Sequence, residues 1–268
     1  GALTNQVNLR DDSNLVYPLG VKVSPDGKNV YAVARSNAVV YWDRDSTTGA
    51  LTNQRSQTDD TNGVGQSGKE ARLLETLWSI AISPDGKNVY VTTLNCPTYT
   101  ALGCVVYWQR DTTTGALSNQ VNECHTILAG ARGVTVSPDG ENVYAAAYDQ
   151  SIVCCWQRDS TTGVIINPNC LNNGDLSGVQ SITVSPDGKN AYAVVGPSNS
   201  IVYWDRSLTT GLLSNQVKLT DSTNLGIAFL VVVSPDGASV YAVARGTDSI
   251  VRWDRDSTTG ALTNQINL

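Results

Sequence analysis

The stretch from Val21 to Thr52, VKVSPDGKNVYAVARSNAVVYWDRDSTTGALT, decides the fold because its pattern recurs along the whole chain. Its tetrapeptide Ser-Pro-Asp-Gly lies between two short β-branched segments. Proline presets φ, aspartate bonds its own backbone and glycine accepts positive φ, so the tetrapeptide is typical of a hairpin turn. A second turn, STTG at 46–49, joins two further extended segments. The unit therefore predicts four strands, a to d, without helical periodicity.

Five copies of this unit follow one another. The tetrapeptide recurs about every 50 residues, and four short strands per repeat are typical of a propeller blade. We therefore predict an all-β, five-bladed β-propeller of four-stranded antiparallel blades, formed by residues 1–268 as one domain. The repeats are centred on the turns at 24–27, 83–86, 137–140, 185–188 and 234–237.

Each strand c carries a tryptophan at the same position. An aromatic residue repeated in every blade predicts packing between neighbouring blades rather than a sugar-stacking platform. Trp78 is outside this pattern and precedes strand a of the second repeat, so it is the better candidate for an aromatic side chain at the channel mouth. The strand-c tryptophans are Trp42, Trp108, Trp156, Trp204 and Trp253.

The two ends of the sequence are both copies of strand d. GALTNQ occurs at 1–6 and again at 260–265, so six d strands accompany five each of strands a, b and c. One surplus outer strand is therefore expected at a terminus. Either Gly1–Leu9 or Gly260–Leu268 should pair with strand c of the last repeat, and the other copy should be an edge strand or disordered.

A family resemblance rests on these same motifs. VSPDGKNVYAVA at 23–34, followed by an aromatic residue and DRDSTTGALT at 43–52, resembles the repeat of the YVTN, or lactonase-like, β-propeller family. The resemblance covers essentially the whole chain. Two features depart from it: tryptophan stands where many members have phenylalanine, and five repeats are present where lactonase-type members usually have seven blades. The resemblance implies a propeller fold and offers a lactonase-like hydrolase as one functional alternative.

Composition argues against several classes of partner and chemistry. The formal net charge is −6 and the pI is near 4.7, which disfavours nucleic acid and anionic membrane surfaces. No apolar run approaches the length of a membrane span. His125 is the only histidine, and neither a C-x-x-C motif nor a G-x-S-x-G elbow occurs, so we expect no metal, no cofactor and no hydrolytic triad. The copies of Asp43-Arg44-Asp45 are interpreted as turn stabilisers.

Six cysteines, an even number, favour an oxidising compartment, and we predict an extracellular, secreted protein. Fifteen pairings are formally open, but position restricts the expected bridges to within and between repeats 2 and 3. Cys154 and Cys155 are adjacent on strand c, so they point to opposite faces and should have different partners. The cysteines are Cys96, Cys104, Cys124, Cys154, Cys155 and Cys170.

Sequence variation is concentrated in the b–c and d–a loops, which lie on one face of a propeller and are candidate ligand carriers. Three d–a loops contain Asp and Asn three residues apart, which suits sugar hydroxyls or Ca²⁺ but equally an Asx-turn. Two longer loops, 55–77 and 94–103, offer a lid or a tolerated insertion. The candidate ligand residues are Asp11, Asn14, Asp59, Asn62, Asp221, Asn224, Glu70, Arg72, Trp78, Asn95 and Tyr99.

Three functional hypotheses follow. The main one is a secreted binding propeller without enzymatic activity, lectin-like, that holds a glycan or another small polar ligand through its loop face. The first alternative is the lactonase-like hydrolase with a site at the channel mouth. The second is a structural or matrix protein that associates with itself through an edge strand.

Overall fold

In the part of the chain that the structure describes, twenty strands form five antiparallel four-stranded sheets, and each sheet is a blade built from four consecutive strands. The computed structural model describes residues 8–35, 38–58, 74, 76–94 and 103–268. The predicted five-bladed, all-β architecture is confirmed. Blade 1 contains β1 (Pro18–Val23), β2 (Asn29–Ala34), β3 (Ala38–Arg44) and β4 (Leu51–Thr58); blade 2 contains β5 (Leu77–Ile82), β6 (Asn88–Thr93), β7 (Gly103–Arg110) and β8 (Leu117–His125).

The remaining blades have the same order of strands. Blade 3 contains β9 (Ala131–Val136), β10 (Asn142–Ala147), β11 (Ile152–Arg158) and β12 (Ile165–Asn172); blade 4 contains β13 (Val179–Val184), β14 (Asn190–Val195), β15 (Ser200–Arg206) and β16 (Leu213–Thr220). Blade 5 contains β17 (Ala228–Val233), β18 (Ser239–Ala244), β19 (Ser249–Arg255) and β20 (Leu262–Asn267). Short 3-10 turns occur at Thr126–Leu128 and Gly174–Leu176. In the part of the chain that the structure describes, no helix is long and apolar enough to cross a bilayer.

The two recurrent turns have the hydrogen bonds that their sequences predict. In the first turn of blade 1, Ser24 Oγ donates to Asp26 and accepts from the Asn29 amide at 3.0 Å, while Gly27 has a φ of 71°. In the second turn, Asp45 Oδ1 accepts from the amides of Thr47 and Thr48 at 2.9 and 2.7 Å. The Asp-Arg-Asp segments therefore end strand c by stabilising a turn, as predicted.

The core lies between neighbouring blades. Four apolar clusters fill the interfaces between consecutive blades, and a fifth lies on blade 1 alone. All five strand-c tryptophans are buried, with exposed fractions of 0 to 4%. Their predicted role in the core is thereby confirmed.

An arginine at the end of strand c connects each of blades 2 to 5 with the blade before it. In the first interface, Arg110 Nε donates to Tyr31 Oη at 2.8 Å, and Nη2 donates to Asp26 and Asn29 at 3.0 and 2.6 Å. Tyr31 Oη in turn donates to the carbonyl oxygen of Gly115 at 2.6 Å. We call this set of bonds the arginine latch. Its arginines are Arg110, Arg158, Arg206 and Arg255.

The inner strands β1, β5, β9, β13 and β17 line a central channel with a cavity of about 450 Å³. Consecutive inner strands pack closely from β1 to β17, but among the described residues β17 and β1 make no equivalent contact. Val21 of β1 is 64% exposed, whereas the equivalent Ile80 of β5 is 2% exposed. The five blades therefore form an arc with a gap between blade 5 and blade 1.

The last blade is completed by the C-terminal copy of strand d. β20 pairs with β19, and Arg255 lies opposite Leu262 in this pairing. The sequence predicted that one of the two terminal copies of strand d would pair with strand c of the last repeat. This is confirmed for the C-terminal copy, Gly260–Leu268. The N-terminal copy, up to residue 7, is outside the described residues.

Two disulfides join strands c and d within one blade each. Cys104 is bonded to Cys124 in blade 2, and Cys154 is bonded to Cys170 in blade 3. Both bridges lie within the predicted pair of repeats, and they indicate an oxidising environment. Cys155 is a buried free thiol, so the adjacent cysteines do differ in their partners. Cys96 is outside the described residues.

Candidate functional site at the channel mouth

The second residue of every inner strand lies in a β-bulge. The pairing with strand b skips one residue at this point in all five blades. A bulge redirects the side chain of the extra residue, and here it frees one side chain per blade at the loop end of the channel. These residues are Leu19, Trp78, Arg132, Gln180 and Phe229.

The residue that follows strand b lies beside the bulge, because its amide is bonded to the segment that enters strand a. The Arg35 amide donates to the Tyr17 carbonyl at 3.2 Å, and the Tyr148 amide donates to the Gly130 carbonyl at 3.0 Å. This second position adds Arg35, Tyr148 and Arg245 to the same end of the channel. We call the seven polar and aromatic residues of the two positions the mouth cluster: Arg35, Trp78, Arg132, Tyr148, Gln180, Phe229 and Arg245.

Aromatic rings and guanidinium groups alternate in the mouth cluster. Trp78 and Phe229 come from blades 2 and 5, and their ring centroids are 5.9 Å apart. The guanidinium carbons of Arg35 and Arg132 lie 5.2 and 4.6 Å from the Trp78 ring, and that of Arg245 lies 5.7 Å from the Phe229 ring. Such stacking keeps a guanidinium group in a fixed orientation without neutralising its charge.

Arg132 is the best anchored of the three arginines. Its guanidinium lies 3.7 Å from the centroid of the Tyr148 ring and donates to Gln180 Oε1. Its backbone carbonyl accepts a 2.7 Å hydrogen bond from the buried Thr92 hydroxyl of the preceding blade. Among the described residues, its buried Nε atom has no hydrogen-bond partner.

The mouth cluster is electropositive in a chain whose net charge is −6. Among the described residues, none of its three arginines forms an ion pair, although every latch arginine does. Burial lowers the pKa of Arg132, and the charges of Arg245 and Arg35 lower it further, against the opposing influence of Tyr148 and Asp149. Guanidinium groups that lack carboxylates are suited to an anion or to a developing oxyanion.

The loop residues selected from the sequence are placed differently. Asp11 accepts from the Asn14 amide at 2.9 Å and from the Asn14 side chain at 2.9 Å. Asp221 and Asn224 repeat this arrangement at 3.0 and 2.8 Å. Both are the Asx-turns of the alternative interpretation, and Asp11 and Asp221 also accept from Gln54 and Gln265 of outer strands.

Ligand binding by the selected residues stays a prediction. Trp78 is the one that the structure places in the mouth cluster. The remaining candidates are outside the described residues: Asp59, Asn62, Glu70, Arg72, Asn95 and Tyr99. His125 accepts a 3.4 Å hydrogen bond from the Ile127 amide at Nδ1 and begins the first 3-10 turn. Among the described residues, no group of three or more metal-ligating side chains forms a metal site.

Sequence reasoning overlooked the other six residues of the mouth cluster. These six residues are spread over several repeats and two positions within the repeat, so no local sequence motif identifies them. The available indication was that one position of strand a carries Leu, Trp, Arg, Gln and Phe in the five repeats, while the residue after it is glycine or serine in four of the five.

Comparisons with solved structures support the fold. A periplasmic gluconolactonase of Pseudomonas aeruginosa, PpgL, superposes with a TM-score of 0.73 and 16% identity over 96% of this chain and 71% of its own. A Lactobacillus plantarum protein superposes with a TM-score of 0.72 and 20% identity, over 93% and 70% of the two chains. A putative 6-phosphogluconolactonase of Bacteroides uniformis gives 0.62 and 18%, over 92% and 84%. Neither a family model nor a curated protein matches the sequence. The chain has the fold of lactonase-like propellers.

The main functional hypothesis from the sequence, a non-enzymatic lectin-like binding propeller, is corrected by these findings. Three of the neighbours have lactonase names and one is a hydrazine synthase, and the lactonase names favour the hydrolase alternative. The physical reason is visible in the described loops: the repeated Asp and Asn side chains satisfy their own turns, whereas the guanidinium groups of Arg35, Arg132 and Arg245 gather at the channel mouth.

Proposed function

We propose that the protein is a lactonase-like hydrolase that opens an anionic sugar lactone at the mouth cluster. The observation that supports this most directly is the convergence of Arg35, Arg132 and Arg245 on two aromatic rings with no carboxylate partner in the described residues. Three such charges exceed what a neutral sugar requires, and a phosphate or carboxylate substituent would balance them.

In the proposed reaction, water adds to the lactone carbonyl carbon and the bond from that carbon to the ring oxygen breaks. The product is a hydroxy acid, and one proton is released as its carboxyl group ionises. Arg132 is assigned to the carbonyl oxygen, because its partly buried guanidinium is held in place by Tyr148 and Gln180. A fixed donor of this kind stabilises the oxyanion of the tetrahedral intermediate.

The more exposed arginines are assigned to the anionic substituent. Arg35 and Arg245 are both exposed and stack on opposite members of the Trp78–Phe229 pair. The aromatic rings would pack against the apolar face of the sugar ring. The gluconolactonase and 6-phosphogluconolactonase names of the structural neighbours support the choice of a sugar lactone. We further infer that the protein acts outside the cytoplasm, in the periplasm or after secretion, because of its two disulfides.

The released proton gives a direct assay with a pH indicator. The wild-type protein should hydrolyse 6-phosphogluconolactone faster than gluconolactone, and added salt should reduce that preference. Arg132→Gln should lower kcat by about 10²- to 10³-fold, the usual cost of losing one oxyanion donor. Arg35→Gln and Arg245→Gln should mainly raise KM for the phosphorylated lactone.

Lys189→Gln is the matched control, since it removes one positive charge from an exposed turn at the opposite end of the blades. It should leave both kinetic constants unchanged. Turnover at the rate of the buffer alone, or an Arg132→Gln protein as active as Lys189→Gln, would exclude the proposed activity at this site.

A further inference from the structure

Gln180 is the most deeply buried polar side chain of the mouth cluster. It lies in the bulge of β13 and is 4% exposed. Its side-chain oxygen, Oε1, accepts a hydrogen bond from Arg132 Nη1. A guanidinium group has donors only, so this bond determines which end of the amide is the oxygen. The amide nitrogen of Gln180, Nε2, is therefore the end that turns away from Arg132.

The amide nitrogen of Gln180 lies beside a position that has no side chain. Gly196 follows strand b of blade 4, the position that Arg35 holds in blade 1 and Tyr148 holds in blade 3. Its amide donates to the Gly178 carbonyl at 3.4 Å, and a Cβ atom there would lie 3.0 Å from Gln180 Nε2. Among the described residues, Nε2 has no hydrogen-bond partner. The glycine thus leaves two N–H groups of a buried amide uncovered at the mouth.

The polar groups of the mouth cluster are almost all donors. The three arginines contribute guanidinium groups, and Gln180 contributes Nε2, because its oxygen is already bonded to Arg132. Two groups can accept a proton from a ligand. One is the hydroxyl of Tyr148, whose ring stacks on Arg132, and the other is the carboxylate of Asp149, which adjoins the cluster and is exposed.

A set of donors distinguishes between the ionisation states of a bound oxyanion. The dianion of a phosphate monoester has only acceptor oxygens, and so has a sulfate ester, so each oxygen can receive a hydrogen bond from the cluster. The monoanion of a phosphate monoester has an additional P–O–H group. When that proton faces Gln180 Nε2 or a guanidinium group, two donors meet and neither finds an acceptor.

We propose that the mouth cluster selects substrates whose anionic group is fully ionised, and that Gln180 is the residue that determines this selection. The inference rests on the proposed function, because it takes the mouth cluster as the substrate site. It narrows the substrate class to sugar lactones whose substituent has acceptor oxygens only, such as a phosphate dianion, a sulfate or a carboxylate. The amide nitrogen of Gln180 then donates to one of these oxygens.

The test measures binding of glucose 6-phosphate and glucose 6-sulfate to the wild-type protein by titration calorimetry. The second pKa of a phosphate monoester is about 6, so its dianion is about a tenth of the ligand at pH 5 and nearly all of it at pH 8. Glucose 6-phosphate should therefore bind about 10-fold more weakly at pH 5. Glucose 6-sulfate should bind equally at both values, and so it reports any titration of the protein itself, including that of His125 or Asp149.

The comparison at pH 5 separates the effect of the proton from that of charge, because the two esters there have nearly the same charge. The wild-type protein should bind glucose 6-sulfate more tightly than glucose 6-phosphate. Gln180→Glu exchanges Nε2 for a carboxylate oxygen and can still accept from Arg132. This variant should bind the sulfate ester more weakly and lose the preference, since the new oxygen accepts the phosphate proton. Asp149→Asn is the matched control and should keep the preference.

Three results would overturn the inference: equal affinity of the wild-type protein for the two esters at pH 5, a preference that survives Gln180→Glu, or binding of neither ester. The first and third concern the wild-type protein and so do not depend on the folding of a variant. The lactone assay at pH 8 decides the proposed hydrolysis separately, because a phosphorylated substrate is fully ionised there. A protein that binds both esters as expected and hydrolyses no lactone would refute the hydrolysis alone.

Discussion

At the scale of single residues, Trp156 differs from the other strand-c tryptophans. In blades 1, 2, 4 and 5 the indole N–H donates to a strand-d glutamine at 3.1 to 3.2 Å. In blade 3 that position is Pro168, and the buried Nε1 atom of Trp156 has no partner among the described residues. A buried donor without an acceptor carries the full cost of its desolvation.

Pro168→Gln should therefore stabilise the protein. The new side chain supplies the acceptor that the other four blades have, and we expect the free energy of unfolding to rise by about 1 kcal/mol. Denaturant unfolding followed by tryptophan fluorescence measures the change. Gln120→Met, which removes the acceptor of Trp108, is the matched opposite and should destabilise by a similar amount. A Pro168→Gln protein no more stable than the wild type would contradict this account.

The arginine latch was visible in the sequence but was interpreted incompletely. An arginine is the last residue of strand c in all five repeats, and a tyrosine occupies strand b in all five. Reasoning within one repeat assigned the Asp-Arg-Asp segment to its own turn, and this is correct for the second aspartate. In blades 2 to 5 the arginine bonds to the preceding blade, and sequence position alone does not place two blades face to face.

At the scale of elements, glycine sets the distance between neighbouring inner strands. A Cβ atom added to Gly133 of β9 would lie 2.9 Å from both the amide nitrogen of Ile182 and the Cα of Ser181 in β13. Backbone atoms at that distance cannot move away from an added methyl group as the end of a flexible side chain can. The packing of blades 3 and 4 around the channel therefore depends on the absence of a side chain at this point.

Gly133→Ala should consequently destabilise the protein by about 1–3 kcal/mol, the usual cost of overpacking. Gly174→Ala is the control, because a Cβ atom there would have nothing within 4 Å, and it should be neutral. Thermal unfolding by circular dichroism distinguishes the two. Equal values of Tm for both variants would show that the inner strands separate without cost.

The blades themselves could be predicted from the sequence because each is local. Turn chemistry and alternating strand segments lie within about 50 residues, so every strand of a blade is next to its partner in the chain. The mouth cluster could not be predicted in the same way. Trp78 and Phe229 are in contact across the channel, and their meeting depends on how the blades are arranged around it.

At the scale of the whole molecule, four aspartates of the latches tie stability to pH. Burial by itself would raise the pKa of Asp26, but hydrogen bonds from Ser24, the Lys28 amide and Arg110 outweigh it and lower the pKa to about 2. The pKa values of Asp85, Asp139 and Asp187 are lowered for the same reasons. Each folded-state pKa is below the value of the unfolded chain, so the latches contribute their full stability above that value.

We therefore expect stability to be constant through neutral pH and to fall as the pH decreases from about 4 towards about 2, where the latch aspartates become protonated. Urea midpoints measured across this range test the prediction. Asp26→Asn should be less stable than the wild type at pH 7 and should lose less stability on acidification. If its acid profile is parallel to that of the wild type, the latch carboxylates are not the groups that control acid unfolding.

The arrangement of the bulges also has a consequence for how such a molecule diversifies. The residue in each bulge is skipped by the strand pairing, so replacing its side chain leaves the hydrogen-bond ladder intact. Five such positions, one per blade, surround one opening and can vary independently of the framework. The side chains at the channel mouth can therefore be varied separately from the blades that carry them. A library randomised at Leu19, Trp78, Arg132, Gln180 and Phe229 would change which ligands the mouth recognises and leave the blades unchanged.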